Sequence, residues 1–271
     1  MATTSPRFSV GPLPNGWYAI ALSNELRPGG EKIGCLAGVE YRLKRSNDGR
    51  LTFNEKAELV AELNGFIFAW SHRADVPPTW HLPLLDETGW LPFRHRLLRA
   101  RAHPQEIYEN SFDFAHFFPV HGFVDAASLE EPSFDRHTAK VRYEIERASL
   151  IPWIGGRTKS NFEVKLYGLG CAHNHINVPA FRMSVRMLAL ATPTEPGHLE
   201  IRLAVSIFDN LRIPLKNIVL PFIHRLVTKT IVHDFSQDIE IWENKRFLPS
   251  PLLIRGDGPI MGFRRWGRQF Y

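Results

Sequence analysis

Short runs in which apolar and polar side chains alternate occupy most of the chain, in two groups separated by a proline-rich stretch. In the first group, "GWYAIAL", "GVEYRLKR", "LTFNEKAELVAEL" and "GFIFAW" have the period-two pattern of strands, with "SNDGR" as a hairpin turn. This reads as a small β unit. His72 to Pro92 is rich in proline and turn residues and reads as a connecting segment, with a boundary near 75 to 95.

The second group begins with a helical pattern from Gln105 to Phe117, where Ile107, Tyr108, Phe112, Ala115 and Phe117 supply the apolar positions. Strand patterns follow in "KVRYEIERASL", "KSNFEVKLYGL", "AHNHINV", "RMSVRMLALAT" and "HLEIRLAVSIF". From Pro214 to about Phe247 the spacing is helical again, with one interior proline at Pro221. An antiparallel sheet followed by one long helix predicts an α+β domain in which the helix closes over the sheet.

In "ENSFDFAHFFPVHGF", Asn110, Asp113 and His116 are three apart, so on one helix they share a face. His121 lies five beyond His116 and would point elsewhere on an unbroken helix. Pro119 is expected to bend the chain, and Gly122 to free it, so that His121 swings back. Two neutral imidazoles beside a carboxylate suit a divalent transition metal. Two histidines near a helix end are equally explained as capping or core residues, and among twelve histidines an arbitrary pair is more often structural.

A third candidate ligand lies on the closing helix. Leu220, Val227, Ile231, Phe235, Asp238 and Trp242 project onto one face. A carboxylate in that stripe needs a partner, which a metal supplies and which a buried salt bridge to a tail arginine would also supply. His224 is on the same face but 14 residues away, roughly 21 Å along the axis, too far to share a cation with Asp238. Trp242 is expected to shield the site, and His233 or Asp234 to orient a ligand. The alternation Cys171, His173, His175 on one strand face reads as a polar patch rather than a second metal site. Phe112, Phe117 and Phe118 fit either a pocket wall or the core; Met183, Met187 and Leu190 read as core.

Composition narrows the classes. At 271 residues, 44% hydrophobic and 23% charged, the chain is an ordinary folded protein. Met1 to Val10 lacks the apolar core of a signal peptide, and no apolar run approaches the roughly 20 residues that cross a bilayer. With only Cys35 and Cys171, a disulfide scaffold is excluded and a cytoplasmic location is expected. The net charge of +5 is scattered, so nucleic-acid binding is not expected. The basic ending "GFRRWGRQFY" reads as a solvated, partly docked tail held by its aromatics.

The spacing Asn-x-x-Asp-x-x-His-x-x-x-x-His from Asn110 to His121, taken with "SQDIEIWENKRF", resembles the iron-binding signature of Rieske-type non-haem iron oxygenases. The closing "PLLIRGDGPIMGFRRWGRQFY" is similar to the end of their steroid-acting branch, typified by the oxygenase component of 3-ketosteroid 9α-hydroxylase. The opening "PNGWYAIALSNEL" is similar to that family's entry into its Rieske domain. The resemblance implies a helix-grip, START-like catalytic domain over 94–271, with mononuclear Fe(II) on His116, His121 and Asp238. It implies that Asp113 links a neighbouring subunit's cluster to the iron, and that Asn110 lines the metal region. Residues 1–93 would be a vestigial Rieske-like β unit plus linker.

The departure from the family is the cluster itself. A Rieske centre needs Cys-x-His and a later Cys-x-x-His. Cys35 begins no such pair, Cys171-Ala172-His173 lacks its second half, and few residues separate "GRLTF" from "ELNGFIFAW". No iron–sulfur cluster is expected in this chain.

The leading expectation is therefore an oxygenase subunit acting with O₂ on a hydrophobic polycyclic, steroid- or terpenoid-like substrate. Electrons would come from a Rieske-containing subunit or reductase within a homo- or hetero-trimer. The alternatives are a self-contained iron enzyme with a different or redox-neutral reaction, and a non-catalytic subunit that binds hydrophobic ligands or regulates. A zinc hydrolase on the same three side chains is a lesser one.

Overall fold

The computed structural model describes residues 12–148, 156–209, 216–253 and 256–271. Met1–Val10, the expected helix start at Pro214, and Ser149, Leu150, Ile254 and Arg255 of the quoted runs lie outside the described residues.

The first group of runs forms β1 (Gly16–Leu22), β2 (Glu31–Leu36), β3 (Val39–Arg45), β4 (Leu51–Phe53), β5 (Val60–Leu63) and β6 (Phe66–Ser71). They make two three-stranded sheets, in the orders β1-β6-β5 and β2-β3-β4. Tyr18, Ile20, Leu43, Phe53 and Ile67 fill the space between them. The run "LTFNEKAELVAEL" is not one strand. Asn54 and Glu55 take left-handed backbone (φ 50 and 67), so β4 and β5 part company and enter different sheets. The segment 72–92 is irregular, as its prolines predict, apart from a bridge between Trp90 and Phe208. Trp80 pins it: its carbonyl accepts from Trp17 Nε1 at 2.9 Å.

The second group builds β7 (Arg94–Ala100), β8 (Asp125–Ser128), β9 (Ser133–Asp135), β10 (Thr138–Ala148), β11 (Arg157–Tyr167), β12 (Cys171–Val178), β13 (Met183–Pro193) and β14 (Leu199–Ile207). Eight strands with antiparallel neighbours run β7-β14-β13-β12-β11-β10-β8, with β9 paired beside β10. β7 carries no alternating pattern because it is the edge: its first four residues are exposed, and pairing with β14 alone makes it a strand. One face of the sheet, with Leu188, Leu190 and Ala204, packs against Trp17 and Phe68 of the amino-terminal sheets. The opposite face, with Val141, Leu166, Ala189 and Leu203, is covered by helices.

Those helices are α1 (Pro104–Glu109), α2 (Phe117–His121), α3 (Lys216–Asn244) and α4 (Ile260–Gly267). α3 lies along β7 and β14. Its inward stripe runs Leu220, His224, Thr228, Asp238 and Trp242, all buried, with Val227, Ile231 and Phe235 half-buried between them. His224 Nε2 sits 2.9 Å from the Val205 carbonyl and fastens this half of the helix to β14.

The basic ending is more ordered than a solvated tail. Ile260, Phe263 and Trp266 fall at helical spacing and turn inward, leaving Arg265 to the surface. Phe263 stacks on Phe112 at 5.0 Å, and burying such a ring contributes about 2 kcal/mol. No described helix is long and apolar enough to cross a membrane.

Candidate metal centre

The histidines sit on a helix that breaks. His103 starts α1: its Nδ1 accepts from the Gln105 amide (3.2 Å) while the Glu106 carboxylate accepts from the His103 amide (3.3 Å), with Pro104 in the first turn. After Glu109 the chain tightens into a 3-10 turn over Asn110–Phe112 and becomes extended at Asp113 (φ −102, ψ 106). Asn110, Asp113 and His116 therefore do not share one helix face, contrary to the expectation from their spacing. The bend is at Asp113, whose Oδ1 accepts from the Ala115 amide at 3.1 Å and offers the backbone an alternative to the helix.

Pro119 does not bend the chain. It is the third residue of α2, where a first turn leaves amides unpaired in any case, so its missing N–H costs nothing. Gly122 ends α2 in the left-handed region (φ 64), with its amide donating to Phe118 O (3.0 Å) and the Phe123 amide donating to Phe117 O (3.2 Å).

That local path brings His116 and His121 together, with ring centroids 5.3 Å apart and planes at 77°. Asp238 arrives from α3. Its Oδ1 lies 3.4 Å from His121 Nε2 and 4.0 Å from His116 Nε2, and the three side chains are 6 to 11% exposed. All three ligand atoms lie within 4.8 Å of one another, the only such His/Cys/Asp/Glu group among the described residues. His173 and His175 are not joined to any such group; His175 is exposed beside Trp90, at 6.0 Å.

The ring tautomers follow from the other nitrogens. His116 Nδ1 lies 2.6 Å from the Asp113 carbonyl, which only accepts, so Nδ1 carries the proton and Nε2 presents a lone pair. His121 Nδ1 donates likewise to Gln237 Oε1 at 3.0 Å. Both lone pairs meet a carboxylate oxygen that is buried and has no hydrogen-bond partner. With Nδ1 as the donor on both rings, the two Nε2 atoms are the ones that face this oxygen, and a cation placed among them would be held by all three.

The electrostatics agree. Burial holds the His116 imidazole down to about 4, with the His121 ring adding to the effect, so it is neutral at pH 7. Burial pushes the Asp238 carboxyl up to about 6, against the pull of the His121 ring and a hydrogen bond from Asn110. The donor set of two neutral imidazoles and one carboxylate fits a mononuclear divalent metal.

The remaining expected residues divide. Asn110 borders the group, its Nδ2 3.5 Å from His116 Nε2. The Asp113 carboxyl stands apart from the three ligand atoms, raised by burial and then by Asp257; its backbone carbonyl is what touches His116. His233 is exposed and orients nothing here. Asp234 pairs with Arg147 (2.8 Å), which lies 5.1 Å above the Phe123 ring beside His121, so its support is indirect. Trp242 packs on Phe235 at 5.3 Å, one turn beyond Asp238. Phe112 and Phe117 are core, while Phe118 is 71% exposed and walls no pocket.

Sequence reasoning missed Gln237, whose only signal was adjacency to Asp238. It also missed the clamp behind the histidines. Arg264 of α4 grips Glu109 with two bonds of 2.7 Å, both side chains nearly buried, and lies over the Phe247 ring at 4.6 Å. The tail arginine thus pairs with Glu109, not with Asp238. Gly258 presses its backbone on the Phe112 carbonyl, where any Cβ would collide. Two cavities of about 390 and 400 Å³ lie elsewhere, the first beside Trp70, Trp80 and His137 and the second beside Trp90 and Arg186; neither includes a member of the triad.

A sheet of antiparallel strands, covered on one face by a long helix that meets two histidines, defines a sheet-rich α+β class. Dicamba monooxygenase bound to dicamba has the same fold, with a TM-score of 0.66 at 13% identity over 95% of this chain and 97% of that one. The 3-ketosteroid 9alpha-hydroxylase C-terminal domain profile matches residues 69–271, and the chain belongs to that family.

Among curated relatives, cholesterol 7-desaturase of Xenopus laevis is 27% identical over 291 residues, covering 94% of this chain and 62% of its own length. The probable 3-ketosteroid-9-alpha-monooxygenase oxygenase component of Rhodococcus rhodochrous is 26% identical over 78% of this chain and 56% of its own length. Cholesterol 7-desaturase of Ciona intestinalis is 26% identical over 333 residues, covering 95% of this chain and 68% of its own length. The chain thus spans about three fifths of the length of the relatives it matches.

Proposed function

We propose that this chain is the iron-bearing part of an oxygenase for a hydrophobic polycyclic substrate of steroid or terpenoid type, with His116, His121 and Asp238 holding one Fe(II). The observation that carries the reading is the meeting of the two Nε2 atoms with the partnerless Asp238 Oδ1. Family membership and the sterol- and ketosteroid-acting relatives favour iron over zinc and an apolar substrate. Bound there, Fe(II) supplies the centre at which O₂ is reduced.

The chain's own residues do the rest. Gln237 and the Asp113 carbonyl hold the two imidazole protons on Nδ1 and so keep both Nε2 atoms free. Asn110 donates to Asp238 and keeps its carboxylate oriented. Tyr143, buried and close enough to feel the Asp238 charge, stacks on Phe162 at 5.2 Å. From Phe162 an apolar cluster of Met187, Ile176, Val227 and Ile231 is packed between α3 and the sheet, and an apolar substrate would have to part these side chains to be enclosed there away from water. In this reading 94–271 is a helix-grip, START-like domain, with α3 as the gripping helix.

Inserting one oxygen atom of O₂ into a C–H bond consumes two electrons and two protons and releases water. In this reading residues 1–93 are a Rieske-like β unit reduced to its frame plus the linker, and the electrons come from a Rieske centre on a partner chain, within a trimer, by way of Asp113. The match to the Ciona relative supports the reduction: it runs over 333 positions, 62 more than the 271 residues of this chain, so the relative carries internal sequence that this chain lacks. In this reading the segment is lost at the short turn between β4 and β5.

Anaerobic loading with Fe(II) should give about one iron per chain, and His116→Ala should abolish it. Loaded protein should oxidise a sterol-like substrate only with a Rieske partner and reductant. Iron retained by His116→Ala refutes the centre; turnover with O₂ alone refutes the external electron supply; substrate binding without any turnover favours a carrier.

A further inference from the structure

The face of α3 turned away from the sheet is apolar and basic at once. Ile218, Phe222 and Leu226 succeed one another at four-residue spacing and are 70, 68 and 54% exposed, so they form one ridge along two turns. A surface helix normally keeps that side polar. From Lys216 to His233 the helix has no Asp or Glu, whereas Asp234 to Asn244 contains four.

The edge strand beneath adds to the same surface. β7, along which α3 packs, presents the exposed Arg94 and Arg96 on the face that Leu98 shares with the helices. Lys216 is paired with Asp209 at 2.9 Å. Arg94, Arg96, Arg225 and Lys229 make no ion pair with any described residue. An apolar ridge is therefore rimmed by four uncompensated cations.

We propose that this face docks flat on the surface of an anionic lipid bilayer, with Ile218, Phe222 and Leu226 among the acyl chains and Arg225, Lys229, Arg94 and Arg96 at the phosphates. The combination of bulky apolar anchors with flanking cations and no acid is what an interfacial helix requires. A second copy of this chain would bring the same basic patch and be repelled by it, so self-association does not cover the ridge. Lying on the surface also agrees with the absence, among the described residues, of a helix able to cross.

The opposite side of the same helix carries Ile223, Val227 and Ile231 against Ile176, Val205 and Ile207 of the sheet. One helix thickness then separates the bilayer from the apolar interior. That a lipid-dissolved substrate enters there rests on the function proposed above; the docking itself does not.

Flotation of the full chain with vesicles of phosphatidylcholine, with and without phosphatidylglycerol, tests the proposal. The protein should float with the anionic vesicles, stay behind with the neutral ones, and be released by high salt. Replacing Ile218, Phe222 and Leu226 together by serine should lower partitioning tenfold or more, with iron content unchanged. Arg225→Gln with Lys229→Gln should lower it by roughly fivefold per charge. His116→Ala should lose iron and still float, which separates the docking from the metal reading. Equal flotation of the serine variant and wild type, binding indifferent to lipid charge, or a fall in oligomer mass by light scattering in the serine variant would overturn the proposal.

Discussion

The residues from His103 to Gly122 and those of α3 deliver side chains to the same point, the first through two short helices broken at Asp113, the second through one helix of 29 residues. Helices of five and six residues have no stability of their own in water. Their geometry comes from outside: the Arg264 fork on Glu109, the stack of Phe112 on Phe263, and the Gly258 backbone against Phe112. α3 needs no such help, because its buried stripe places Asp238 by periodicity alone. A ligand carried by a regular element is fixed by that element's own pattern, and one carried by a broken element is fixed by what presses on it.

The comparison breaks most sharply at Arg264. Arg264→Met leaves the Glu109 carboxylate buried without its partner, and stability measured by urea denaturation should fall by about 3 kcal/mol. Iron binding should weaken with it as the histidine segment loosens, while the helical signal of α3 persists.

pH separates the two segments next. Iron needs an ionised carboxylate and neutral rings. Asp238, raised to about 6, takes a proton first as pH falls, and His116, depressed to about 4, takes one only later. Affinity followed by competition with a chelator of known strength should therefore drop tenfold per pH unit below about 6 and more steeply below about 4. A fall that starts with the second slope would mean that a histidine, not the aspartate, protonates first.

A smaller effect is expected from Gln237→Leu, which frees His121 Nδ1 and should lower iron affinity by roughly tenfold without changing stability. Smallest is Gly122→Ala. Nothing lies near the added methyl, so the cost is that of left-handed backbone alone, about 1 kcal/mol by urea denaturation.

The same contrast explains what was legible in the sequence. β10 and the stripe of α3 were readable because period two and period 3.6 survive wherever one face is buried, and β14 because its sequence alternates although both its faces are covered. That His116, His121 and Asp238 would meet was suggested by a charge in an apolar stripe and by the resemblance of the two motifs to a family signature, and the three side chains do converge. The break at Asp113 was not, because an Asx-type bond to Ala115 leaves no periodic trace, and Pro119 was misread as the bend although a first turn tolerates it. β7 was hidden because an exposed edge needs no alternation. Gln237 and Arg264 act through contacts distant in sequence, 116 and 155 residues away, and no local pattern announces them.

Gly258 is not one of the three side chains that meet, yet its bare backbone is the mould into which the Phe112–Asp113 corner is cast, and that corner's carbonyl fixes the proton on His116. An alanine at 258 would lift the corner and turn the ring away. A genetic screen for inactive protein would place this remote residue in the same phenotypic class as the loss of a histidine.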